Sequence, residues 1–232
     1  MKIEETDIQT RYRFLEFLMT FISENKKNKF EEIIRNRTRH ITIVLEDIFQ
    51  PHNASAVLRS CDCFGIQDVH IIENKNPYEI NPDVALGSSK WLTLYKYDNE
   101  KNNTPACISS LRNKGYKIVA ATPHENDFIP ENLPLEQKTV LVFGTELQGL
   151  TRYAIESADA FIRIPMVGFT ESLNISVSAA LLLFTLTERL RKSDVNWHLT
   201  KEEELGIRLQ WAKNVVKRSG IIEQEFFKKM KK

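Results

Sequence analysis

Between residues 40 and 191 the hydrophobic pattern changes period again and again, and this alternation narrows the possible folds more than anything else in the chain. Ile41-Thr42-Ile43-Val44-Leu45 is a β-branched run too short for a typical helix. Val69–Ile72, Trp91–Tyr95, Ile118–Ala121, Thr139–Phe143 and Phe161–Ile164 are similar short runs. Between them lie stretches with helical spacing: Asn53–Phe64 closed by Gly65, Pro105–Asn113 followed by Gly115, Thr151–Ala158 with Thr151 as cap, and Leu173–Arg191. Strands joined through helices run parallel, and the helices cover both faces of the sheet. The expected fold is therefore α/β, with a mostly parallel sheet.

Both ends depart from this pattern. In residues 6–37, Tyr12, Leu15, Leu18, Met19 and Ile22 recur at helical spacing, and a second helical run covers Phe30, Ile33 and Ile34. The tail from Trp197 carries a Thr200-x-x-Glu203 capping box with Leu205, Leu209 and Val216 behind it. The reading is thus a helical extension over 1–38, a core domain over 39–191 and a helical basic extension over 192–232. Charge follows the same division. The formal net charge is +1, yet residues 1–40 carry +2, residues 41–188 carry −7 and residues 189–232 carry +6. Basic ends on an acidic middle suit arms that meet a polyanion while the middle does something else.

Other function classes are disfavoured. No run approaches the ~18 apolar residues of a membrane span, and the polar start Met1-Lys2-Ile3-Glu4-Glu5 lacks the apolar core of a signal peptide. The expected location is the cytoplasm. Three cysteines make no disulfide framework, and neither they nor the five histidines show metal-ligand spacing. Gly144 and Gly149 have the separation of a phosphate loop, but Leu150-Thr151 stands where Lys-Ser/Thr is required. No G-x-G-x-x-G follows any expected strand, so a nucleotide-dependent oxidoreductase is not supported.

Three segments carry the remaining chemistry. Pro51-His52-Asn53 follows the first strand and opens a helix bearing Arg59. Gly144–Gly149 lets backbone approach a ligand and brings in the carboxylate of Glu146. Ile164-Pro165-Met166-Val167-Gly168 leads through Ser172 and Asn174 into a helix apolar on almost every face. A backbone-rich loop between a buried strand and a buried helix is where α/β proteins place ligands. Gly87-Ser88-Ser89-Lys90-Trp91 adds hydroxyls, a cation and an aromatic, a set suited to a phosphate and a base.

Read together, Asn53–Gly65, Leu141–Leu150 and Ile164–Ala180 resemble, in order and spacing, the three motifs of the SpoU (TrmH-type) RNA 2′-O-ribose methyltransferases of the SPOUT superfamily. The resemblance spans residues 39–191. It implies a C-terminal trefoil knot, S-adenosylmethionine bound in that knot mainly through backbone, and a homodimer formed through the Asn174–Arg191 helix. It implies cofactor contacts near Thr122, Gly144, Ile164, Met166 and Leu173. It also implies a catalytic set of Asn53, Arg59, Glu146, Ser172 and Asn174, and no metal. In the family the position of Arg59 is proposed as the general base. A guanidinium with a pKa above ~12 suits a phosphate clamp and stabiliser of developing alkoxide better.

For RNA the candidates are Arg11, Arg35, Arg39, Lys90, Arg189 and Arg191. Short helical extensions at both ends resemble the tRNA guanosine 2′-O-methyltransferases, so the implied target is the D-loop guanosine 18 of tRNA. Ribosomal RNA or another tRNA site stands as the alternative. A non-catalytic RNA-binding protein of the same fold is the alternative from another class.

Overall fold

In the computed structural model, β1 (Ile41–Glu46), β2 (Asp68–Ile72), β3 (Thr93–Tyr97), β4 (Lys117–Ala121), β5 (Thr139–Phe143) and β6 (Ala160–Ile162) form one sheet in the order β3-β2-β1-β5-β4-β6. Every neighbouring pair is parallel. The structure describes residues 2–230 apart from 80, 124, 126, 146 and 147. β1, β2 and β5 are buried at every position. A strand covered on both faces has no solvent side, which is why these runs are mostly apolar without alternation and why their polar members, such as Thr42 and His70, are buried too.

The sheet belongs to a unit spanning Thr38–Trp197; the chain up to Arg37 and the chain from His198 onward form a second unit. In the first unit, one core joins the sheet to α3 (Pro51–Phe64) and α7 (Ile175–Arg191) through residues such as Val57, Leu58, Ala179, Leu182, Leu183 and Leu186. Val195 and Trp197 pack against this same core. A second core lies between the sheet, α5 (Thr104–Asn113) and α6 (Arg152–Glu156), around Cys107, Ile108, Leu111, Val140, Val142 and Ala154. The short α4 (Pro82–Ala85) precedes a 3₁₀ turn over Ser88–Lys90.

In the other unit the two chain ends wind together. It contains α1 (Ile8–Met19), α2 (Glu24–Ile34), α8 (Lys201–Val215) and α9 (Ser219–Met230). Fully buried Trp211 meets Phe30 edge-on at 5.3 Å and takes the Arg37 guanidinium over its ring. Phe14 and Phe226 meet at 5.0 Å, and Lys213 bridges Glu4 and Glu223 at 2.7 and 2.8 Å. The Thr200–Glu203 capping box is present in full at the start of α8. No helix is long and apolar enough to cross a membrane among the described residues.

Several expected boundaries move, each for a local reason. β3 runs over Thr93–Tyr97 rather than Trp91–Tyr95, because the 3₁₀ turn holds the Trp91 N–H on the Ser88 carbonyl. β6 ends at Ile162 instead of Ile164, since Arg163 donates to the Phe128 carbonyl and leaves the ladder with β4. α6 stops at Glu156, short of Ala158. α7 starts at Ile175, not Leu173, because the Asn174 side chain accepts from the Ser176 N–H at 2.9 Å and caps it. Gly65 closes α3 in the left-handed region at φ 81°, as its place in the sequence requires.

Candidate active site

β1 and β5 are neighbours whose following helices run to opposite sides, so their C-terminal ends mark the switch point of the sheet. The switch point itself is filled by protein. Glu46, the last residue of β1, is fully buried. It accepts the Thr104 hydroxyl at 2.6 Å, the Thr151 hydroxyl at 2.8 Å and the Thr151 N–H at 2.9 Å. Its neighbour Asp47 sits at φ 58°, and one carboxylate oxygen accepts the N–H groups of Asn74, Lys75 and Asn76 at 3.1, 2.8 and 2.8 Å. A non-glycine residue held there costs about 1–3 kcal/mol, offset here by three charge-assisted bonds.

The open space lies one step along the sheet. A cleft of about 800 Å³ is bounded by the ends of β4, β5 and β6 and by the approach to α7. Its β5 wall is a closed loop. Thr145 and Gly149 exchange backbone hydrogen bonds at 3.0 and 2.9 Å, and Gly149 has φ 67°. A Cβ on Gly144 would overlap the Gly149 carbonyl, so only glycine lets the loop fold back this tightly. On the β4 side the Thr122 N–H is held by the Ile162 carbonyl at 3.1 Å. Ile162, Ile164, Leu173 and Leu182 supply apolar surface, while Glu125, Arg163 and Glu171 bring charge.

Thr122, Gly144, Ile164, Met166 and Leu173, the five cofactor candidates, all line this one cleft. Ser172 and Asn174 line it too, whereas Asn53 and Arg59 lie outside it on α3. Glu146 lies outside the described residues. A hydrogen bond links the two parts: the Asn174 amide donates to the Asn53 side-chain oxygen at 3.2 Å. Asn53 is 3% exposed and donates in turn to Gln50 at 3.0 Å. A little under two turns further along α3, Arg59 is exposed and has no hydrogen-bond or ion-pair partner among the described residues.

The six basic candidates differ in partners and exposure. Arg189 donates to the carbonyls of Pro130 and Leu133 at 2.6 and 2.8 Å, and Arg191 to that of Phe64 at 2.8 Å. Arg39 pairs with Asp68 at 3.1 Å and Arg11 with Glu202 at 3.1 Å. Arg35, just past α2, and Lys90 are exposed. Sequence reasoning missed Glu46 and Asp47. A Glu-Asp pair closing an apolar strand was the only signal available, and their partners are remote in sequence.

The fold and the site define a parallel α/β protein with a ligand cleft between a glycine loop and the strand-to-helix crossing. Beside that cleft runs a helix presenting an exposed arginine, unpaired among the described residues. The model of the SpoU rRNA Methylase family matches residues 40–184. The chain belongs to that family. It is 44% identical over 206 residues to a tRNA (guanosine(18)-2′-O)-methyltransferase of Borreliella burgdorferi, covering 89% of this chain and 93% of the relative. A protein of the same name from Thermus thermophilus is 31% identical, over 70% of this chain and 81% of its own. Among solved structures, the Aquifex aeolicus TrmH/SpoU tRNA modifying enzyme superposes with a TM-score of 0.73 at 29% identity. That match covers 84% of this chain and 98% of the other.

Proposed function

We propose that the protein transfers a methyl group from S-adenosylmethionine to the ribose 2′-hydroxyl of a D-loop guanosine in tRNA, working as a homodimer in the cytoplasm. The observation that carries this reading is the Asn174–Asn53 hydrogen bond. It couples a cofactor-sized cleft to the helix whose arginine is free to take a phosphate. The names borne by the relatives at 44% and 31% identity supply the RNA and the nucleotide.

The cleft suits the donor. Its volume lies in the usual range for cofactor pockets. Ile162, Ile164, Leu173 and Leu182 offer the apolar surface an adenine needs, and the Gly144–Gly149 turn brings main chain close. Glu125 and Glu171 would complement the donor's positive groups, and Arg163, whose Nε has no partner among the described residues, would complement its carboxylate. When bound there, S-adenosylmethionine supplies an electrophilic methyl and leaves as S-adenosylhomocysteine.

The chain's own groups do the rest. Arg59 grips an RNA phosphate through its fork and stabilises negative charge as it develops on the 2′-oxygen. Held by Asn174, Asn53 keeps the first turn of α3 in register with the cleft, so hydroxyl and methyl can meet in line. The hydroxyl proton leaves to solvent as the O–C bond forms, which spares Arg59 a deprotonation its basicity forbids. Ser172 organises the substrate side of the crossing, and Glu146 belongs to the same catalytic set. Thr122, Gly144, Ile164, Met166 and Leu173 are the cofactor contacts.

Arg35 and Lys90, both exposed, contact RNA phosphates, and Arg11, Arg39, Arg189 and Arg191 add to the positive field. The crossing over residues 163–174 is the trefoil knot of the SPOUT fold. α7 carries the dimer: Val177, Leu181 and Phe184 recur at i, i+4 and i+7 and are 44%, 45% and 55% exposed, a stripe suited to a second copy. Calorimetry with S-adenosylmethionine tests the reading. Saturable heat is expected; RNA binding with no donor heat would instead support a non-catalytic RNA-binding relative.

A further inference from the structure

We infer that Glu46 is a positioning residue for the donor cleft, holding the exit of the Gly144–Gly149 loop from the neighbouring strand. The inference rests on the donor reading of that cleft. Both oxygens of this fully buried carboxylate are used, and two of their three bonds go to Thr151. Thr151 follows the cleft-lining stretch through Leu150 directly, and its hydroxyl also caps α6 by accepting the Ala154 N–H at 3.2 Å. The loop is thus fixed at both ends. β5 pairing fixes its start, and Glu46 fixes its finish across the β1–β5 junction.

This placement explains why the cleft is not at the switch point. A carboxylate with three donors occupies that crevice, and the open space moves one strand over. The same short stretch of chain, from Glu46 to Asn53, therefore touches both walls of the site. Its first residue holds the glycine loop and its last holds Asn174. These eight residues thus span from one wall of the site to the other. Glu46 touches neither donor nor RNA, so its effect is on affinity and alignment.

Glu46→Gln keeps the volume and one acceptor but turns an NH₂ group toward a donor that had a partner. Donor affinity measured by calorimetry is expected to fall about tenfold, as when one charge-assisted hydrogen bond goes unreplaced. Amide exchange at residues 148–151 should quicken, while RNA affinity stays within about twofold. Thr151→Val should weaken donor binding similarly, and Thr151→Ser should restore it. Thr104→Val removes a bond to the same carboxylate on the side away from the loop, and should leave donor affinity near wild type. Wild-type affinity in both Glu46→Gln and Thr151→Val would overturn the inference. So would equal weakening by the two valine variants, which marks a general packing role. Wild-type protein that takes up no donor overturns the reading of the cleft and this inference with it.

Discussion

Among the described residues nothing holds Arg59. Exposed and unpartnered among the described residues, it is not needed for folding, so its removal isolates function from stability. Arg59→Ala is expected to lower kcat by about 10²–10³-fold, the range for losing one stabiliser of developing negative charge. Its melting temperature should stay unchanged. Arg59→Lys keeps the charge and loses the fork; near-wild-type turnover would count against the bidentate clamp. His70 illustrates the opposite case. It is 1% exposed, stacked on Tyr95 at 4.7 Å and bonded to the Tyr97 hydroxyl at 3.1 Å. Burial first, and Lys114 second, push its pKa down to about 3 from 6.5. Between those values the unfolded chain binds a proton that the folded chain does not, so stability rises with pH across this window. Denaturant titrations below pH 6.5 should lose up to about 1.4 kcal/mol per pH unit from this group. A shallower slope is expected for His70→Gln, and an unchanged slope would reject His70 as the source.

Among the elements, legibility in the sequence followed burial and distance. β1 and β5 were readable as short, mostly apolar β-branched runs because they lie at the centre of the sheet with both faces covered. β6 was overextended, since Ile164 looks like a strand residue but faces the cleft. Thr200–Glu203 announced α8 because a capping box is closed within one turn. Glu46 stayed hidden because its partners stand 58 and 105 residues away, and local pattern carries no trace of them. Ile164, Met166, Ser172, Leu173 and Asn174 of the third motif do gather on one cleft, but the helix was begun too early in the sequence, at Leu173, and Asn174 is its cap. α7 brings its own prediction. Leu181→Glu places a charge in the exposed apolar stripe and should convert dimer to monomer in sedimentation, with the sheet core intact. A variant that still sediments as the dimer would place the interface elsewhere.

At the scale of the whole molecule, the charge division seen in the sequence becomes a division of labour. The unit built from both chain ends is basic, with lysines on helices such as α9, whose last turn holds Lys228 and Lys229. The acidic unit holds the cleft. Lys228→Glu with Lys229→Glu should weaken tRNA binding and flatten its salt dependence, by about 0.9 in log–log slope per lost phosphate contact. Donor affinity should not change. An unaltered slope would show that these lysines only solubilise the tail. The pairing of Phe14 with Phe226 across the length of the chain could not be read locally; only the helical character of each end could. The most direct test of the account as a whole is to incubate the protein with labelled S-adenosylmethionine and unmodified tRNA and ribosomal RNA, and to map the label by nucleotide. One methyl on the 2′-oxygen of the D-loop guanosine of tRNA is the predicted result. Label on a base, or in no RNA at all, would contradict it.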